Sequence, residues 1–290
     1  MKIKHGISGA VIAISLMGMT GCSRLPRALA WPPAPAAESG TRSDRVMSLA
    51  PARAPRLVVA EVRPEAPIGP DQTAFEGWID VGGRALYLAC LGVGEPVVVF
   101  EMDQGESGAE ALAYAGKVSE RTRVCYYDRP NVYGGYSDPA SGVRTSQDIV
   151  NDLAALLRGA DLVSPYILAG KSFGAMNAAL FAAQRSNEVA GLVLLDPLST
   201  GPGETDVEAV EIEAVDIEAS AAQLKAAPRI VSVPTVMLTT ERLVGDPAFY
   251  SQLAPRLQRV AISDKGDIAR PSSREYVSRA IIEMVEEFRK

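Results

Sequence analysis

Pro165-Tyr166-Ile167-Leu168-Ala169-Gly170-Lys171-Ser172-Phe173-Gly174 reads as a strand running into a G-x-S-x-G turn, and residues 175–184 behind it are alanine-rich and helical. Glycines two places either side of a serine permit a sharp strand-to-helix turn that lifts the Ser172 hydroxyl above the end of a sheet. The helix N-terminus beneath it favours negative charge on a reacting oxygen. The five-residue motif alone is a weak signal, and its setting between a strand and a helix is what points to a mainly parallel α/β sheet.

The same alternation extends outward from the turn. Short β-branched runs at 77–81, 86–91, 97–101, 124–128, 166–169, 192–195, 235–238 and 260–262 predict about eight strands, the first two joined through Gly82-Gly83 as an antiparallel hairpin. Thr145 and Asp148 form a capping-box start for a helix carrying Ile149, Leu153, Leu156 and Leu157 on one face. A last helix repeats Tyr276, Val277, Ala280, Ile281, Met284, Val285 and Phe288 at the same spacing, a core face. Helices on both faces of the sheet follow. Between Gly203 and Leu224 stand seven acids (Glu204, Asp206, Glu208, Glu211, Glu213, Asp216 and Glu218) with no basic residue, which reads as a solvated acidic cap at about 198–232.

Composition narrows the chemistry. The 290 residues are 47% hydrophobic, ample for a buried core, and the net charge of −6 with no basic stripe argues against nucleic-acid binding. Cys22, Cys90 and Cys125 are too few for a disulfide scaffold and have no metal-ligand spacing, so neither metal nor cofactor is expected. There is a single histidine, His5.

Lys2 and Lys4 precede an apolar run of about fourteen residues, too short to cross a ~30 Å hydrocarbon core, that ends in Met19-Thr20-Gly21-Cys22. This resembles a bacterial lipobox, which implies a signal peptide at 1–21, acylation of Cys22 and membrane lipid as a partner. Ser23 after the cysteine implies an outer-membrane anchor facing the periplasm. Cleavage there removes Lys2, Lys4 and His5 and leaves a net charge of −8. Nine of the twenty prolines fall at 22–70, a semi-rigid tether before a globular domain at 71–290.

The segments in order resemble the α/β-hydrolase superfamily over about 215 residues. Beside the Ser172 elbow, Tyr127-Asp128-Arg129 with Gly135-Tyr136-Ser137-Asp138-Pro139 resembles the family's segment after the fourth strand, and Glu101-Met102-Asp103-Gln104-Gly105 its oxyanion loop. The resemblance implies Ser172 as nucleophile and the N–H groups of Gln104 and Phe173 as oxyanion donors. It places Asp267 where the family's histidine stands and leaves Asp246 or Glu241 as candidates for the acid. Asp103 stands where the family usually has glycine. Removing the base from a serine triad typically costs ~10⁶ in kcat. The expectation is therefore a hydrolase-like protein with lost or strongly impaired catalysis and a cleft that can take a small acyl ligand. The rival expectation is a divergent serine hydrolase of carboxylic esters, with Lys171, Lys265 or a proton-sharing Asp267 as base. Cys90 and Cys125 fall in neighbouring strands of that sheet order, which leaves open either a disulfide or two buried thiols. No protein partner is identified.

Overall fold

The computed structural model describes residues 74–200, 213–240, 246–262, 268 and 270–290. The leader at 1–21, the stretch 22–70 with Cys22, part of the cap, and Glu241, Lys265 and Asp267 lie outside the described residues.

Each of the eight runs read from the sequence forms a strand. β1 (Ala74–Asp80) and β2 (Ala85–Leu91) make the antiparallel hairpin. β3 (Val98–Glu101), β4 (Val124–Tyr127), β5 (Tyr166–Lys171), β6 (Val189–Leu195), β7 (Thr235–Thr239) and β8 (Leu257–Ala261) run parallel to one another. They lie in the order β1-β2-β4-β3-β5-β6-β7-β8. Among the described residues six helices flank the sheet: α1 (Leu112–Ser119), α2 (Ser146–Gly159), α3 (Phe173–Gln184), α4 (Ile217–Ala226), α5 (Pro247–Leu253) and α6 (Pro271–Phe288).

A parallel sheet covered on both faces sends alternate side chains into two cores. Val97, Val99, Leu168, Leu192 and Leu194 pack beneath α2, α3, α4 and α5. Val98, Phe100, Ile167, Val193 and Leu195 pack beneath α1 and α6. The start of α2 is the expected capping box, with Thr145 N and Oγ1 both donating to Asp148 Oδ2 at 2.8 Å. Cys90 lies opposite Cys125 in the β2–β4 ladder with Cα atoms 4.0 Å apart, and the two are joined as a disulfide. Of the alternatives left open by the sequence, the bridge is the one present.

α1 and α5 had no sequence signal of their own, being 8 and 7 residues long with short apolar patterns. β8 begins three residues before the run that announced it, because Gln258 and Arg259 are exposed on this edge strand and mask its period. The sheet brings the C-terminal ends of β3, β5, β6 and β7 together, and the site stands above them.

Candidate active site

The turn after β5 has the geometry its glycines anticipate. Ser172 holds φ 49° and ψ −112°, a sparsely populated conformation that costs about 1–3 kcal/mol and persists only where surroundings enforce it. Ser172 N donates to Leu195 O at 2.9 Å, and Ser172 O accepts from Ala175 N at 3.1 Å and Leu198 N at 3.2 Å. A Cβ at Gly174 would lie 2.1 Å from Glu101 O, and one at Gly170 would lie 2.5 Å from Gly174 O. Gly174 is thus required by the close approach of α3 to the end of β3, and Gly170 by that of α3 to its own strand β5. The Ser172 hydroxyl makes no hydrogen bond among the described residues.

The oxyanion loop after β3 departs from the expected pattern in a specific way. Asp103 Oδ1 accepts from Gln104 N at 2.8 Å and from Phe173 N at 3.2 Å, the same two N–H groups the resemblance implies as oxyanion donors. A carboxylate oxygen of the chain itself therefore lies where those donors converge. Burial pushes the Asp103 carboxyl above its usual range, against the pull of the Gln104 N–H, the Lys171 charge and the Phe173 N–H.

Lys171, beside Ser172, turns its side chain to an acid of the loop after β3. Its ammonium is paired with Glu106 Oε1 at 2.5 Å, and Glu106 Oε2 accepts from Asp103 N at 3.2 Å.

Beneath the loop sits a buried charge cluster. Arg129 donates Nε to Glu213 Oε1 at 2.6 Å, Nη2 to Glu213 Oε2 at 2.9 Å, and Nη1 to Glu101 Oε1 at 2.7 Å. The same guanidinium reaches Met102 O at 2.7 Å and Asp103 O at 2.6 Å, so it braces the loop's backbone directly. Glu213 Oε2 also accepts from Gly105 N at 2.6 Å. Burial raises the Glu213 carboxyl, but the Arg129 charge and hydrogen bonds outweigh it and hold the group below its usual range. Glu101 goes the other way: burial dominates over Arg129, Tyr127 and Asn177 and holds it high. Glu213 belongs to the acidic stretch read as solvated, and here that reading is corrected. Its carboxylate is buried because Arg129 needs a counter-charge that Glu101 alone does not supply.

Asp246 lies at the start of α5, where its Oδ1 accepts from Ala248 N at 3.0 Å and Phe249 N at 3.1 Å as a helix cap. Asp196, at φ 39° after β6, binds Thr240 N and Thr240 Oγ1 at 2.8 Å each and ties the ends of β6 and β7 together. The structure brings Ser172, Phe173, Gln104 and Asp103 together. Sequence reading missed Arg129, Glu213 and Glu106 as parts of the site, and the one available signal was Arg129 in the Tyr127-Asp128-Arg129 run. Among the described residues no group of His, Cys, Asp and Glu side chains is arranged to hold a metal ion.

The fold coincides with that of known structures. The chain has the α/β-hydrolase fold. It superimposes with a TM-score of 0.58 on an esterase from Thermogutta terrifontis, at 21% identity, covering 74% of this chain and 100% of that one. A membrane phospholipase A described as a bacterial virulence factor gives 0.61 at 18% identity, over 75% of this chain and 87% of that one. A putative lipase from Acinetobacter baumannii AYE gives 0.59 at 13% identity, over 75% and 92% of the two chains. No family model matches. In sequence, 100 residues are 31% identical to the uncharacterized protein YqjL of Bacillus subtilis (strain 168), covering 34% of this chain and 39% of that one. The chain spans 39%, 18% and 14% of the length of the curated relatives it matches.

Proposed function

We propose that this α/β-hydrolase-fold protein is a lipid-anchored protein of the bacterial cell envelope whose cleft does not run serine-triad hydrolysis. The observation that carries the reading is Asp103 Oδ1 on both Gln104 N and Phe173 N. A negative oxygen already at those donors opposes the negative oxygen of a tetrahedral intermediate, and the donors would have to be vacated before they stabilised one. Two further observations support it: the sequence has one histidine, His5, and Lys171 is paired with Glu106.

The anchoring part rests on the lipobox-like Met19-Thr20-Gly21-Cys22, with acylated Cys22 holding the chain to membrane lipid. The Cys90–Cys125 disulfide favours an oxidising compartment such as the periplasm. Esterase, phospholipase and lipase structures among the neighbours make a small acyl-derived ligand the natural occupant of the cleft.

A second reading, a divergent serine hydrolase of carboxylic esters acting through Ser172 with a lysine or aspartate base, is favoured by the strained elbow the chain still maintains. Incubation of the mature protein with a fluorophosphonate probe, beside Ser172→Ala, separates the two. The proposed reading expects no labelling above the Ser172→Ala background. Labelling that disappears with Ser172 would overturn it and establish the second.

A further inference from the structure

We infer that the groove between α6 and the outer strands β7 and β8 binds one long-chain fatty acid, with its tail along α6 and its carboxylate on Arg256. The site is separate from the cleft at Ser172 and does not depend on what that cleft does.

The apolar face of α6 is wider than the core beneath it. Val277, Ile281 and Val285 are fully buried, whereas Tyr276 and Phe288, expected on the same core face, are about half exposed. Tyr276, Ala280, Met284 and Phe288 fall four residues apart and so form a second stripe along one side of the helix. The helix packs on β5 and β6. Its second stripe borders a groove whose floor is Val236 and Leu238 of β7 and Val260 of β8. Parallel sheets usually have both faces covered, and here the outer strands keep an open apolar strip beside α6. The groove measures about 610 Å³, within the range of about 300–1,000 Å³ common for small-molecule sites.

The groove has a direction. Met284 lies against Gly191 near the start of β6, and Arg289 Nε donates to Glu95 O ahead of β3. The C-terminal end of α6 therefore stands at the N-terminal ends of the strands. Arg256, immediately before β8, is at that end, whereas Ser172 follows the last residue of β5 at the other. From Phe288 back to Tyr276 the helix spans about 18 Å at about 1.5 Å per residue, a length suited to a straight alkyl chain such as that of myristate.

Charge decides what the occupant is. Four charged side chains border the groove, and three of them are already matched: Arg279 with Glu283 at 2.8 Å, and Glu287 with Lys290 at 2.8 Å. Arg256 has no acid partner among the described residues, and its Nη1 donates to Ser232 O at 3.0 Å. A protein partner, which covers on the order of 800 Å² a side, would meet ion pairs along α6 that satisfy each other. A molecule with one apolar tail and one anionic head matches both the stripe and the remaining cation.

The test is calorimetric titration of the mature protein, made without acylation at Cys22, with myristate, tetradecanol and butyrate. Myristate is expected to bind saturably, one per chain, and butyrate not to bind because most of the apolar contact is gone. Ala280→Phe fills the middle of the groove and should weaken myristate at least about tenfold. Arg256→Gln, at an exposed position, should weaken myristate about threefold, the scale of an exposed charge pair, and leave tetradecanol unchanged. That contrast decides the question should Ala280→Phe fail to fold. Myristate that does not bind wild type, or that binds Arg256→Gln or folded Ala280→Phe as tightly as wild type, would overturn the proposal. A wild-type dimer that Ala280→Phe converts to monomer would also overturn it and assign the groove to a second copy of the chain.

Discussion

Of the described acids Glu213, Asp216 and Glu218, truncating Glu213 to alanine should be the most damaging. Its side chain is 3% exposed, as is that of Arg129, and it accepts two bonds from that guanidinium and one from Gly105 N. Breaking a buried ion pair by removing one partner costs about 3–5 kcal/mol. For a domain of this size each kcal/mol is worth roughly 2–4 °C, so Tm should fall by about 6–20 °C. Exposed Glu218, five residues along, is the control, and Glu218→Ala should stay within about 0.5 kcal/mol. The pH dependence has a definite sign. The folded Glu213 carboxyl is held below its usual range, so its contribution is present above the unfolded value of about 4.3 and is lost as pH falls through the lower folded value. The gap between wild type and Glu213→Ala should therefore be full at pH 7 and shrink below about pH 4. Urea unfolding of both proteins across that range measures it. A gap at pH 7 no larger than that of Glu218→Ala would refute the account of the buried cluster.

Three further outcomes follow from the geometry. Asp103→Asn keeps an acceptor for both N–H groups while removing a charge that burial disfavours; since the folded pKa is raised, wild type is penalised at neutral pH and relieved on acidification. The variant should thus match or exceed wild type in urea stability at pH 7, with the difference disappearing at low pH. Gly174→Ala sets a Cβ 2.1 Å from Glu101 O, beyond ordinary overpacking of about 1–3 kcal/mol, and should unfold at markedly lower denaturant or fail to accumulate as folded protein. Cys90→Ala/Cys125→Ala opens a link spanning 35 residues and should lower stability by about 4 kcal/mol; reductant should produce a similar loss in wild type and none in the double variant.

The fold was legible because its signals are local. The short, nearly continuous apolar runs of β5 and β6, the Thr145–Asp148 box and the two glycines around Ser172 each declare their structure within a few residues. Short α5, and β8 with its exposed Gln258 and Arg259, declared little because half their pattern faces solvent. The site was legible in part. Ser172, Gln104 and Phe173 follow from the elbow and the loop, and Asp103 was visible as a charge in the wrong place. That its carboxylate accepts from Phe173 N depends on packing between β3 and α3, which no spacing encodes. Glu213 was hidden for a related reason: of the described acids Glu213, Asp216 and Glu218, the one that meets Arg129, 84 residues away in sequence, is drawn inside while the other two are exposed.

The central claim is that a well-formed nucleophile elbow stands in a cleft unable to use it. Hydrolysis of a short activated ester by the wild-type protein, measured beside Ser172→Ala, tests it most directly. The account predicts equal rates for the two, both at the level of bulk-protein background. A wild-type rate that exceeds Ser172→Ala tenfold or more and saturates with ester would contradict it.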